Sequence, residues 1–155
     1  MAKNRSIIRN RLADLFTAEL ITSQDVAQAV YGYNTIDFEG QSPVLIVYSA
    51  GSDPSHSEGV HPTRRIIQRH RFRLVVFVAL PEEGDATTRS DTQDDLDTMM
   101  TAVVTTVENN QKSEGYYKGL NFEEGFSEVI PVDLVAGNLP YTVETAVVSC
   151  WEDLT

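Results

Sequence analysis

The stretch Arg69–Leu80, RHRFRLVVFVAL, alternates with a period of two along its whole length, and that period belongs to an extended strand. His70, Phe72, Leu74, Val76, Val78 and Leu80 share one face. Arg69, Arg71, Arg73, Val75, Phe77 and Ala79 share the other. The first face is core-like along most of its length, and the second begins as an arginine ladder and ends apolar. Whatever the chain folds into must therefore bury one side of a long strand and accommodate cations on part of the other. The same region, from Thr63 to Arg73, carries Arg64, Arg65, Arg69, Arg71 and Arg73 out of only 12 basic residues, in a chain of net charge −11.

The rest of the chain supplies the layers. Ile8, Leu12, Leu15 and Phe16 recur at helical spacing and predict a helix from Asn4 or Ser6 to about Leu20, with Ser6 as N-cap. The following TSQDVAQAVYGYNT reads as either a helical turn or a short strand. Val44–Tyr48, after Pro43, is apolar on both faces and predicts a central strand covered on both sides. Residues 51–63 form a long polar loop, expected to be an extended arm. After an acidic linker, Leu96, Met99, Met100, Val103, Val104 and Val107 predict a second helix ending near Asn109, with Asp91 as N-cap and Asp94 and Asp95 in its first turn. The β-branched run VVTTV could also suit a strand, but the regular spacing favours helix. QKSEGYYKGLNFEEG is a turn-rich connection. Two alternating strands close the chain, FSEVIPVDLV, with Pro131 marking an edge or a bulge, and LPYTVETAVVSCW, joined by a short hairpin loop.

This order predicts an α+β fold: a mostly antiparallel sheet of about four to five strands with two amphipathic helices packed on it. A length of 155 residues suits a single domain, 1–155, with a core of its own. One cysteine excludes an internal disulfide. No apolar run is long enough to span a membrane and no signal peptide is recognisable, so the expectation is a soluble protein of a reducing cytoplasm. The acidic total disfavours general nucleic-acid binding, which normally requires a basic domain.

The sequence contains no phosphate-binding glycine loop with lysine, no dinucleotide fingerprint, no nucleophile elbow and no His-Glu-x-x-His. Asp53, His56 and His61 lie in one loop, but their loose spacing suits solvated polar residues better than a metal site. His70 reads as a hydrogen-bonded core or interface histidine, Cys150 as a buried inert thiol, and Trp151 as core packing at a strand end. We therefore expect neither an enzyme nor a metal or other cofactor. The acidic run that includes Glu82, Glu83, Asp85, Asp91, Asp94 and Asp95 is either a solvated stretch or a surface that repels a polyanion or meets a basic partner. The arginines have three readings: contacts to phosphate, pairing with acidic neighbours in the same sheet, or pairing with carboxylates of another subunit. The third is favoured, because an acidic protein supplies its own partners, and a head-to-tail contact of this kind closes into a ring when the rotation allows.

The segment VYGYNTIDFEGQSPVLIVYSAGSD, followed by a long loop, RHRFRLVVFVAL and an amphipathic helix, resembles the tail terminator (tail completion) proteins of long-tailed, lambda-like bacteriophages. The order of elements matches over nearly the whole chain, with the run from Gly40 to Ser52 the most telling piece. The resemblance implies a small α+β subunit that forms a six-fold ring on the finished tail tube. The ring ends tube polymerisation, presents a surface to the head connector, and passes DNA without binding it specifically. Its partners would be further copies of itself, the tail tube protein and head connector proteins, with no membrane. Its place would be the neck of the virion, after assembly in the host cytoplasm. Other neck or tube components, such as a head–tail joining protein or the tube subunit, remain alternatives, as does a small nucleic-acid-binding module using Arg64 to Arg73.

Overall fold

The long alternating strand sits in the middle of the sheet. The computed structural model describes residues 5–35, 37–53, 56–58, 65–80, 86–123, 128–136 and 139–154. Helix α1 (Arg5–Phe16) runs on into a π-helical turn (Thr17–Ser23), followed by strands β1 (Ala29–Tyr31), β2 (Val44–Ser52), β3 (His56–Glu58) and β4 (Arg65–Ala79). Helix α2 (Ala86–Asn109) and strands β5 (Lys118–Phe122), β6 (Glu128–Ala136) and β7 (Leu139–Asp153) complete it. The fold is α+β. The sheet runs β1-β2-β4-β7-β5, with β3 pairing on β4 and β6 on β7. Only β1 and β2 are parallel; every other described pairing is antiparallel.

The four long strands are those the sequence marks, β4, β6 and β7 by alternation and β2 by a run that is apolar on both faces. β1, β3 and β5 are additional. They are short and fall where the sequence shows turns or ambiguity rather than a period. β1 settles the TSQDVAQAVYGYNT segment as strand over Ala29–Tyr31. β3 lies inside the segment expected to be an extended arm, where His56–Glu58 pairs back onto Arg65–Ile67 of the same chain. The register shift between Ile130 and Leu134 in the β6–β7 ladder brackets Pro131, which has no N–H to give.

Both helices pack on one face of the sheet. Ile8, Leu12, Phe16 and Leu20 from the first helical run, and Leu96, Met99, Val103 and Val107 from α2, meet Leu45, Val47, Phe72, Leu74, Val76 and Val148 in one buried cluster. Burial of that stripe overrides the weak helix propensity of the β-branched run in α2. Leu20 reaches the cluster through the π turn, which begins where the Thr17 hydroxyl donates to the Ala13 carbonyl at 2.8 Å. Two capping expectations are corrected. α2 starts at Ala86, so Asp91 lies inside the helix; the buried side extends one turn towards the N-terminus through Thr92, which is buried. Ser6 lies within α1 (Arg5–Phe16) and is not its N-cap.

The opposite face of the sheet is divided. At one end Ala29, Val44, Ile46, Val75, Phe77, Tyr141 and Val143 form a second cluster around Phe38, from the connection between β1 and β2. The Phe38 ring centroid lies 4.7 Å from that of Phe77 and 5.5 Å from that of Tyr141. Val44–Val47 is buried on both faces, as a central strand requires. At the other end the same face carries the arginines. We predict that Phe38→Ala, which empties the cover of the apolar half, lowers the unfolding free energy by about 3–5 kcal/mol. Arg69→Ala on the basic half should change it by less than about 0.5 kcal/mol. Chemical denaturation measures both.

Candidate interaction face

The ladder between β4 and β7 fixes which side chains share the basic half. Arg69 stands opposite Trp151, Arg71 opposite Ser149, and Arg73 opposite Val147. On the far side of β7, Lys118 of β5 is also opposite Trp151. On the far side of β4, Tyr48 of β2 is opposite Arg73. Directly paired residues point to the same side of a sheet, so Lys118, Trp151 and Arg69 form one row across three strands, an indole between two cations. The Lys118 ammonium lies 5.4 Å from the Trp151 ring centroid, within cation–π range. Arg69 and Lys118 are exposed and Trp151 is partly exposed. The turn at residues 112–117, which leads into β5, lines a cavity together with Trp151.

Two glycines shape the strands around this half of the face. Gly51, with φ +130°, sits at the register shift between Ser49 and Gly51 that lets β2 follow β4 past Arg71. Gly119 has φ +63°, and a Cβ there would stand 2.6 Å from Trp151 Nε1. Only glycine lets β5 approach the indole this closely.

The arginines differ in what they face. Arg71 donates from Nε to Glu123 Oε1 at 2.5 Å and from Nη1 to Asp53 Oδ1 at 3.2 Å. These contacts, Glu123 foremost, raise its pKa beyond an already high value. The Asp53 N–H also donates to the Arg69 carbonyl at 3.0 Å, which ties Asp53 to the edge of this face. Arg73 donates to Thr145 Oγ1 at 3.1 Å. Arg69 and Lys118 have no carboxylate partner among the described residues. Arg65 opens β4 and His56 opens β3, but their side chains lie outside the described residues, as do Arg64, His61, Glu82, Glu83 and Asp85 entirely. Asp91, Asp94 and Asp95 are exposed on α2. Among the described residues, no three potential metal ligands converge, and no helix is long and apolar enough to cross a membrane.

Behind the row, on the helix-covered face, a buried polar chain ties three strands and α1 together. His70 and Glu152 are only 3% and 5% exposed. Ser52 Oγ lies 2.7 Å from His70 Nδ1, and His70 Nε2 lies 2.9 Å from Glu152 Oε1. With Nε2–H donating to the carboxylate, Nδ1 accepts from the Ser52 hydroxyl. Arg5 Nη1 donates to Ser52 Oγ and Arg9 Nη1 to Ser49 Oγ, each at 3.2 Å. His70 is thus the satisfied core histidine its position suggests.

Lys118 is the member of this face that was not expected, and for Trp151 core packing was favoured over a contact role. Trp151 is not wholly core, and the signal was available: the period of two in TAVVSCW puts it on the side of Ser149 and Val147, away from Cys150. No family model matches the chain, and no curated protein matches it.

Cys150 is buried on the helix side, where loss of hydration and then the charge of Glu152 push its thiol up to about 12. Burial likewise pushes the Tyr117 hydroxyl up to about 12. Both groups are neutral acids whose folded values exceed their unfolded ones. Their contribution to stability is therefore complete below about pH 9 and is lost as pH rises from there towards 12. We predict that the unfolding free energy falls over this alkaline window, and that Cys150→Ala removes the part with the earlier onset. Stability measured against pH checks this.

Proposed function

We propose that this chain is a structural assembly protein of a long-tailed phage neck. It is a tail terminator that forms a ring of six on the finished tail tube, ends tube polymerisation, and joins the tail to the head connector while letting DNA pass. The observation that carries this reading is the row Lys118–Trp151–Arg69, a partly exposed aromatic flanked by two exposed cations with no carboxylate partner among the described residues, on a chain of net charge −11. Aromatic residues and arginine are enriched in protein–protein contacts. Arginine also suits interface pairing with carboxylates, which this chain supplies in excess. The α+β architecture and the order of elements support the resemblance to terminators. The acidic total would keep DNA from adhering as it slides through. The reading requires no catalytic step, and it places the protein in the virion after assembly in the host cytoplasm, with the tail tube and head connector proteins as neighbours.

The same row favours one other reading, a nucleic-acid-binding module, since an aromatic between cations can stack a base and hold its phosphates. The net charge opposes this at long range.

Mass measurements over a wide concentration range, with negative-stain images of the same samples, test the proposal. A closed ring that stops growing is the expected result. Long tubes would assign the chain to the tube subunit. A strict monomer that binds single-stranded DNA, and releases it as salt rises, would overturn the assembly reading in favour of nucleic-acid binding.

A further inference from the structure

We propose that the sheet face around Trp151 docks the acidic outer side of helix α2 from a second copy of this chain, which makes the seam head-to-tail. The proposal rests on the ring-forming reading above and names the surface that fills the basic face.

The two surfaces look in opposite directions. α2 sends Leu96, Met99, Val103 and Val107 into the cluster on the helix side of the sheet. Its outer side, with Asp91, Asp94, Asp95, Asp97 and Glu108 exposed, therefore faces away from the sheet. The Lys118–Trp151–Arg69 row points out from the other side of the same sheet. One chain cannot bring its own helix onto its own row. A two-fold seam that paired the basic face with itself would set Arg69 and Lys118 against identical cations. Pairing the helices with each other would oppose carboxylates. Only a heterologous contact, helix side of one copy on sheet side of the next, neutralises both.

Lys118 and Arg69 flank β7 at two strand spacings, about 10 Å. Asp94 and Asp97, three residues apart on α2 and both exposed, are neighbours on one side of the helix. Thr98 and Thr101, next along the exposed side, carry methyl groups suited to the indole face. Arg71 is already matched by Asp53 and Glu123, and Arg73 is only partly exposed and donates to Thr145, so the exposed cations left for the partner on this face are Arg69 and Lys118.

The test uses full-length chain in three forms, with sedimentation velocity at low and high salt. One variant neutralises the helix side (Asp91→Asn, Asp94→Asn, Asp97→Asn) and one the sheet side (Arg69→Gln, Lys118→Gln). All altered residues are exposed, and unchanged denaturation midpoints confirm that both variants fold. Each variant alone should raise the concentration at half-assembly by about tenfold or more. An equimolar mixture of the two should recover association but stop at dimers, because each pair retains one intact seam. If the unaltered chain assembles and the helix variant assembles equally well, the docking proposal is overturned and the ring reading stands. If the mixture stays monomeric while the unaltered chain assembles, the proposal is likewise overturned. An unaltered chain that remains monomeric at every concentration and salt contradicts the ring reading itself, and the docking proposal with it.

Discussion

The ladder that joins β4 to β7, from Ile67 opposite Asp153 to Ala79 opposite Tyr141, is the interaction on which the rest of the structure depends. It is long and without a register break. A slip of one residue would turn every side chain of β4 to the wrong face. The alternation of β4 prevents that slip, because His70, Phe72, Leu74, Val76 and Val78 are tolerated only on the helix-covered side. With the register fixed, β2 and β3 attach along one flank of the ladder and β5 and β6 along the other. The buried Ser52–His70–Glu152 chain then locks the polar end of the same ladder. Truncating either member of such a buried pair would leave its partner uncompensated.

The second face of the ladder is divided in what it contributes to folding. Its apolar half is closed by Phe38 and contributes to stability through burial. Its basic half contributes little to folding, since exposed cations and exposed ion pairs stabilise weakly. Trp151 is partly exposed there, beside the exposed Arg69 and Lys118. Charge limits what can dock on this half. Another acidic surface is attracted and a second basic face is repelled, and an acidic chain that self-assembles carries both surfaces on every copy.

Much of this was legible in the sequence, and the parts that were not have identifiable causes. A period of two over Arg69–Leu80 sorts both faces of β4 correctly, because strand geometry alone sets it. The i, i+4 run of Ile8, Leu12 and Phe16 marks the first helix equally well. β1, β3 and β5 were hidden because three to five residues are too few to show a period, and their pairing comes from tertiary register. The start of α2 was misplaced because Asp91 looks like a cap locally, while burial of Thr92 extends the helix past it. Within the candidate face, the arginines were visible as a ladder, but their inequality was not. That Arg71 is matched by Asp53 and Glu123, while Arg69 instead flanks Trp151, follows from partners distant in sequence. Lys118 escaped notice for the same reason: it joins the row only through the irregular β5–β7 pairing around Gly119.

Trp151 is the only tryptophan in the chain, so its fluorescence reports on this face alone. The most direct measurement is its emission maximum across a concentration series that spans assembly, at low and at high salt. The account predicts a shift to shorter wavelength as copies associate at low salt, reversed when salt dissociates them. Assembly that proceeds with the emission unmoved would place the seam elsewhere and contradict the central claim.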